Sequence, residues 1–591
     1  MFLSVSGSGF HMNYRQEVRL PKLQGHKVQA YSMPKHRQLN SPEEKPISPD
    51  RFLKYLNNKV QSQAGVYRNP GAVQSSMILI AKQMKFCSDQ HTHRQKEKSI
   101  KIIEQSNEYK YNLGLGNNHE LVQRIMDTRG DWQQTKDNSS MFVNFRWQQW
   151  HRGYKYDRLI LNNQYKQMVN HFENHPELSN KQYLFRNLCS YCEQNKLNVY
   201  DSVPLTFVLD FKDDSVDQQF TQFVKFFDKY APKKIDQMAK KLVEYKKKLK
   251  IPVQPMNDKK IQPIPNKIPK TQNGNQYLWL LKPTFLNRGQ GIHVVNDLDT
   301  IISLICEYQE GHQTIEDDDV KNNKKNNNIK ANSFVIQKYI EQPFLINQRK
   351  FDIRVWVLVT QDLHCYFFKE GYIRTSCENY TTDDVSNQFI HLTNNAIQKY
   401  SDKYGEFEDG NQLSFDDFQN YLNQQGFNID FQQNNVAKMK QLVWMSMQSV
   451  KRKLNLHQRK FCMEIFGYDF IIDQDFKTWL IEINTNPCIE ESSGILKMLL
   501  PRMLDDAFKL TIDVIFPPKQ KLEINESVFP VNKYSNTESL WYLSHLQKRE
   551  SIGNLDSPKP AAKQSAIVLP NQLSQQTQQY QTIIPIYQGD L

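Results

Sequence analysis

Two apolar segments, "FGYDFIID" (466–473) and "TWLIEINTNP" (478–487), are separated by only the four residues "QDFK". So short a connection between two β-rich runs predicts a hairpin in the core of a domain. Strand alternation then puts Glu482 and Asn484 on one face, away from Ile481 and Ile483, with Asp469 of the first strand facing the same neighbourhood. Two carboxylates and an amide at such a place are either a solvated acidic patch or oxygen ligands for a hard cation. With no cysteine or histidine among them, the cation they suit is Mg²⁺, which keeps waters and bridges nucleotide phosphates.

Other segments bear on that choice. "KPTFLNRGQGI" (282–292) sets Lys282 and Arg288 around Gly289 and Gly291, a loop able to close its backbone over a phosphate or simply to turn a hairpin. It is neither a GxxxxGK[ST] loop nor a GxGxxG after a first strand, which disfavours P-loop and Rossmann folds. "VIQKYI" (335–340) reads as a strand whose backbone could bond an adenine edge, with Lys338 near the nucleotide, or as an ordinary half-buried strand. In "RKFDIR" (349–354), Lys350, Asp352 and Arg354 alternate with Phe351 and Ile353, a row suited to phosphate and amino acid or to a solvated edge. Arg374 in "KEGYIRTS" and Asn394 in "HLTNNAIQK" add a cation and an amide.

The remaining chain supplies context. At 591 residues there is room for several domains. Lys and Arg number 76 against 63 Asp and Glu, and a net charge of +13 favours anionic partners without choosing among them. Eight cysteines make no disulfide framework, and the lone Cys189-x-x-Cys192 reads as reduced, partly buried thiols of a cytosolic protein. The N-terminal residues lack the pattern of a signal peptide, and no run of apolar residues is long enough to span a membrane. Residues 1–135 read as a basic, largely disordered extension, 316–330 as a disordered polar insertion, and 521–591 as a disordered polar tail.

In this order, "RKFDIRVWVLV", "KEGYIRTS", "HLTNNAIQK", "YGEFEDGNQLSFDDFQNYL" and "WLIEINTNP" resemble the tubulin–tyrosine ligase and tubulin–tyrosine-ligase-like family, a branch of the ATP-grasp enzymes. The resemblance is close from "WLLKP" to "VIFPP", looser over 142–210, and absent from both tails. It implies an α/β (α+β) ATP-grasp-like fold with an N-terminal domain at 136–212, a central domain at 213–355 and a C-terminal domain at 356–520. ATP would lie between the last two. By motif match, Lys282 resembles the lysine on the ATP phosphates, with Arg288, Gly289 and Gly291 in the loop beside it. Gln337, Lys338, Tyr339 and Ile340 match the adenine-lining segment, and Lys350, Asp352 and Arg354 the row touching ATP and the incoming amino acid. Arg374 and Asn394 resemble groups near the γ-phosphate and the reacting carboxylate. Asp469, Glu482 and Asn484 match the magnesium triad.

The activity so implied is ATP- and Mg²⁺-dependent amide formation. A carboxylate of a tubulin tail becomes an acyl phosphate, which the amine of a free amino acid displaces. Acidic tails suit a basic chain, and microtubules in the cytoplasm, a cilium or a basal body are the expected location, with no nucleic-acid partner. Glutamate or glycine on tail side chains is favoured, with terminal tyrosination close behind. A microtubule-binding protein with a dead ligase core is the alternative of another class, opposed by the intact triad.

Overall fold

The computed structural model describes residues 109–137, 142–159, 166–232, 234–252, 263–264, 268–286, 289–313, 328–518 and 526–544. Most of the insertion expected at 316–330, residues 1–108, residues 545–591 and Arg288 lie outside them. No helix among the described residues is long and apolar enough to cross a membrane.

Three sheets organise the chain. The first is a parallel sheet of order β2-β1-β3-β4, built from β1 (Tyr109–Leu113), β2 (Trp132–Gln134), β3 (Phe145–Trp147) and β4 (Met168–Val169). Helix α1 (His119–Asp127) connects β1 to β2 and buries Leu121, Val122, Ile125 and Met126 on one face. Helix α2 (Lys181–Gln194), capped by the Asn180 side chain, follows β4. The second sheet, of order β5-β10-β6-β7, is antiparallel and comprises β5 (Thr206–Asp210), β6 (Trp279–Pro283), β7 (His293–Val295) and β10 (Ser333–Lys338). Its Phe207 and Trp279 pack on Phe223, Phe226 and Phe227 of α3 (Val216–Tyr230). The short β8 (His312–Gln313) and β9 (Asn328–Ile329) pair with each other on either side of residues 314–327.

The third sheet is the largest. Its path β14-β13-β12-β15-β16 joins β12 (Arg349–Val359), β13 (Cys365–Asn379), β14 (Gln412–Ser414), β15 (Glu464–Ile472) and β16 (Thr478–Thr485). Short β11 (Leu345–Ile346) and β17 (Trp541–Leu543) add to β12 and β13. All eleven residues of β12 are buried, so its charged row is no solvated edge. Phe351, Ile353, Val355 and Val357 enter the main core, which includes Met439, Leu442 and Val443 of α4 (Ala437–Leu454). Residues 350–360 pair with 364–376, and the expected hairpin of 466–473 with 478–487 forms; both pairings are antiparallel.

The sheets correct the sequence reading in three places. Residues 109–135 belong to the folded body and not to a disordered extension: β1, α1 and β2 share a core with Phe508, Leu504 and Trp541. Arg129 fastens this module by bonding Asp505 and Asp513. Residues 526–544 are likewise placed, since Trp541 packs on Phe368 with ring centroids 5.0 Å apart and Arg502 donates to the Phe529 and Ser535 carbonyls. Finally, an N-terminal domain ending at 212 would separate β5 from its sheet, and a boundary at 355 would cut β12 in two.

Candidate active site

A cleft of about 500 Å³ separates the second and third sheets, and seven of the sixteen residues singled out from the sequence line it. From the second sheet come Leu280 and Lys282 of β6. From the third come Lys350 and Asp352 of β12 with Asp469 and Ile471 of β15. Tyr339, in the segment that carries the chain from β10 to β11, forms part of the wall, as do His391 at the end of α5 (Gln388–His391) and Asn394 before α6 (Asn395–Gln398).

The hairpin delivers its oxygens through a β-bulge. Register runs Asp469 to Glu482 but Phe470 to Leu480, leaving Ile481 without an opposite number. Plain alternation would set Ile481 opposite in face to Glu482, whereas both line the cleft. Asp469, Glu482 and Asn484 come together: Asn484 Nδ2 donates to Glu482 Oε1 at 3.0 Å and to Asp469 Oδ2 at 3.2 Å. Rotating that amide by half a turn brings its oxygen to the same place. The donor set is then all oxygen, which fits a hard divalent cation. Among the described residues no group of three or more His, Cys, Asp and Glu is placed to hold a metal, so a metal at this place would need the amide oxygen as its third protein ligand.

Beneath the triad lies a ladder of ion pairs. Arg354 grips Asp469 through both oxygens, at 2.5 and 2.9 Å, and Arg374 reaches the same carboxylate at 3.1 Å while also bonding Asp352 at 2.7 Å. Burial pushes the Asp469 carboxyl up, but the two guanidiniums outweigh it and hold the group at about 2. The acid is therefore ionised at any working pH. The lysines respond in the opposite direction. Burial lowers Lys282 to about 8 despite Glu482, and Lys350 to about 7 despite Asp352. Lys282 Nζ donates to Gln337 Oε1 at 2.9 Å, and Gln337 in turn to Thr206 at 3.0 Å.

The glycine loop closes on the opposite lobe. Gly289 and Gly291 have φ of +80° and +69°, a conformation open to glycine at little cost. A Cβ at 289 would lie 2.5 Å from Ile397 Cδ1 and 3.4 Å from Asn394 Oδ1, so the loop backbone sits directly on the segment leading into α6.

One sequence expectation fails. Lys338 does not face the cleft. Its side chain is fully buried on the other face of β10, donating to Glu341 at 2.6 Å and to the Leu278 carbonyl at 2.7 Å, with the Tyr277 and Trp279 rings about it. Alternation along a strand cannot put Gln337 and Lys338 on one side, so only the Lys338 backbone can meet a ligand there. Ile340 is buried in the crossing segment.

Sequence reasoning also missed a residue. Lys181, the first residue of α2, reaches to 3.6 Å from Glu482 Oε2 and donates to the Leu286 carbonyl at 2.8 Å. It lies 301 positions before its partner with no local motif to mark it; the Asn180 cap could have located the helix start but not the target. Cys189 and Cys192 are free thiols, the first half-buried and the second buried, and burial pushes them to about 12 and about 11.

The profile of the tubulin-tyrosine ligase family matches residues 214–523. "Tubulin glycylase 3B" of Tetrahymena thermophila is 39% identical over 245 residues, covering 41% of this chain and 19% of that protein. "Protein monoglycylase TTLL8" of Mus musculus is 32% identical over 280 residues, 46% of this chain and 30% of that one. "Probable alpha-tubulin polyglutamylase Ttll1" of Tetrahymena thermophila is 28% identical over 295 residues, 44% and 67% respectively. The chain thus spans about a fifth of the length of the first relatives it matches. With its ATP-grasp-like α+β architecture and a family match over more than half its length, the chain belongs to the tubulin-tyrosine ligase family.

Proposed function

We propose that this protein is an ATP- and Mg²⁺-dependent ligase that joins glycine to side-chain carboxylates of the acidic C-terminal tails of tubulin. The observation that carries the ligase reading is the oxygen triad Asp469, Glu482 and Asn484 set against Lys282 of the cleft and against Lys181, which reaches Glu482. Mg²⁺ held by the triad would supply charge neutralisation for the phosphates of ATP. The protein's own groups do the remainder. Lys282, Lys350 and Lys181 offset phosphate charge, the backbone of 337–340 borders the base, and Gly289 lets the loop lie against the phosphates. Arg354 and Arg374 fix the carboxylates of Asp469 and Asp352 and orient the acceptor and the α-carboxylate of the amino acid. The tail carboxylate would attack the γ-phosphorus and displace ADP to give an acyl phosphate, and the amine would then attack the acyl carbon, expelling phosphate and losing a proton to solvent; no enzyme nucleophile is needed.

Glycine is favoured over glutamate because on this reading Arg354 and Arg374 already serve the acceptor and the α-carboxylate, and Lys181, paired with Glu482, serves the phosphates. None of them is left over to receive a second substrate carboxylate. The names of two relatives point the same way. Glutamate is the second reading, supported by the likeness to the polyglutamylase. Microtubules are the proposed site of action.

The test is incubation of the full chain with ATP, Mg²⁺, tubulin and, in turn, labelled glycine, glutamate and tyrosine. Glycine label that survives carboxypeptidase stripping of the tail ends is the expected result. Label released as tyrosine would make this a terminal tyrosine ligase. Microtubule binding with no incorporation of any of the three would support the non-catalytic alternative.

A further inference from the structure

Three residues from separate elements meet in one wall of the cleft. Lys350 Nζ donates to the Tyr339 hydroxyl at 3.0 Å and to the His391 carbonyl at 2.7 Å. The Tyr339 hydroxyl lies 2.9 Å from His391 Nδ1, and His391 Nε2 lies 2.8 Å from the Asp384 carbonyl. All three residues are buried.

The proton positions follow from these contacts. A carbonyl only accepts, so His391 Nε2 carries a hydrogen. An ammonium only donates, so the Tyr339 oxygen accepts from Lys350 and keeps one proton to give. The neighbouring Tyr380 hydroxyl also interacts with Tyr339, while spending its own proton on the Glu341 carbonyl at 2.9 Å. If Tyr339 donated to Tyr380, His391 Nδ1 would need a second ring hydrogen, and the imidazolium would sit against the Lys350 charge. Burial and that same charge hold the imidazole down at about 4, so the ring is neutral and its Nδ1 accepts.

We propose that His391 is a positioning residue for Lys350. Its ring, acting through Tyr339, and its own carbonyl together fix two of the three N–H bonds of Lys350, leaving one to meet an anionic oxygen of a ligand in the cleft. The inference rests on the reading that this ligand is ATP. It gives the chain a tautomer-locked histidine that tunes nucleotide binding without touching the nucleotide.

The test is calorimetric titration of Mg-ATP into the full chain and its His391→Leu, His391→Asn, Tyr339→Phe and His391→Leu/Tyr339→Phe variants, with steady-state KM values alongside. His391→Leu should weaken ATP binding about tenfold, in line with the loss of a hydrogen bond to a charged network. His391→Asn, whose Oδ1 occupies the position of Nδ1, should stay within about threefold of the parent. Tyr339→Phe should match His391→Leu, and the double variant should be no weaker than either, because the two act as one unit. KM for the amino acid should not move. Parent-like affinity in His391→Leu, failure of Asn to rescue, or additive losses would each overturn the role of His391 while leaving the ligase reading intact. An unsubstituted chain that binds no ATP would overturn both. Should the leucine variant not fold, Tyr339→Phe and His391→Asn alone decide, since near-isosteric changes that behave alike leave no special place for the histidine.

Discussion

Arg354 and Asp469 stand opposite each other on adjacent strands of the third sheet, and the guanidinium meets both carboxylate oxygens at 2.5 and 2.9 Å. A fork that meets a carboxylate edge-on fixes its orientation as well as its charge. Arg354→Lys keeps the charge and loses the fork, so ligation should fall by about 10- to 100-fold, the usual effect of disturbing a group that supports a metal ligand. Steady-state ligation at saturating Mg²⁺ checks it, with a melting curve to show that the fold survives.

Glu482→Gln removes one anionic oxygen from the triad and also the partner of Lys181. Ligation should drop at least about 100-fold, since the amide keeps an oxygen donor but loses the negative charge that holds the cation. Turnover near that of the parent would remove Glu482 from the proposed metal site.

The two lowered lysines make ATP binding depend on pH. Lys350 and Lys282 lose their charge as pH rises through about 7 and about 8, far below the ordinary 10.5. A polyphosphate binds the ammonium forms, so binding takes up protons and affinity falls between pH 6.5 and 9. Calorimetry in buffers of different ionisation heat should register the uptake. Lys350→Arg, whose charge does not titrate in this range, should flatten the lower part of the profile.

Lys338→Met should act on stability and not on the cleft. It strands the Glu341 carboxylate, which is buried and bonded to the amides of Gln276 and Leu278. The cost of breaking a buried pair from one side is about 3–5 kcal/mol. Thermal melting reads the loss, and a Lys338→Met/Glu341→Leu pair should recover part of it. A selective rise in ATP KM with unchanged melting would return Lys338 to the nucleotide.

Arg129→Met should loosen the N-terminal module by leaving Asp505 and Asp513 without their shared cation. A loss of about 3 kcal/mol is expected, with the Asp505 side at the upper end of burial and the Asp513 side partly wet. Truncation through residue 135 should be worse, because it uncovers Phe508. Denaturant unfolding of both variants measures the difference.

Much of the fold was legible because the strands around the cleft carry long, strongly β-forming runs such as "RKFDIRVWVLV", which need no partner to be seen. The triad was legible for the opposite reason: acids and an amide are out of place in such a run. The N-terminal module was not, since β1, β2, β3 and β4 span five, three, three and two residues and pair in parallel across long separations. Strands that short carry almost no periodicity of their own. Lys181 and His391 were hidden because each matters through a residue distant in the chain. Lys338 was misplaced for a simpler reason: a charged residue in a functional stretch drew attention to its charge and away from its parity.

Parity is also what Ile481 governs. One unpaired residue lets Leu480 turn to the core and Glu482, two positions later, turn to the cleft, where an uninterrupted strand would have sent both the same way. The segment therefore behaves like a reading frame. Exchanging Ile481 for another apolar side chain leaves the frame intact, and deleting it would close the bulge with Leu480 and Glu482 side by side on opposite faces and Glu482 still across from Asp469; pairing Ile481 regularly is what would turn Glu482 and Asn484 to the interior and Ile483 to the cleft. The chemistry of this cleft depends on how one strand is paired as much as on which residues it holds.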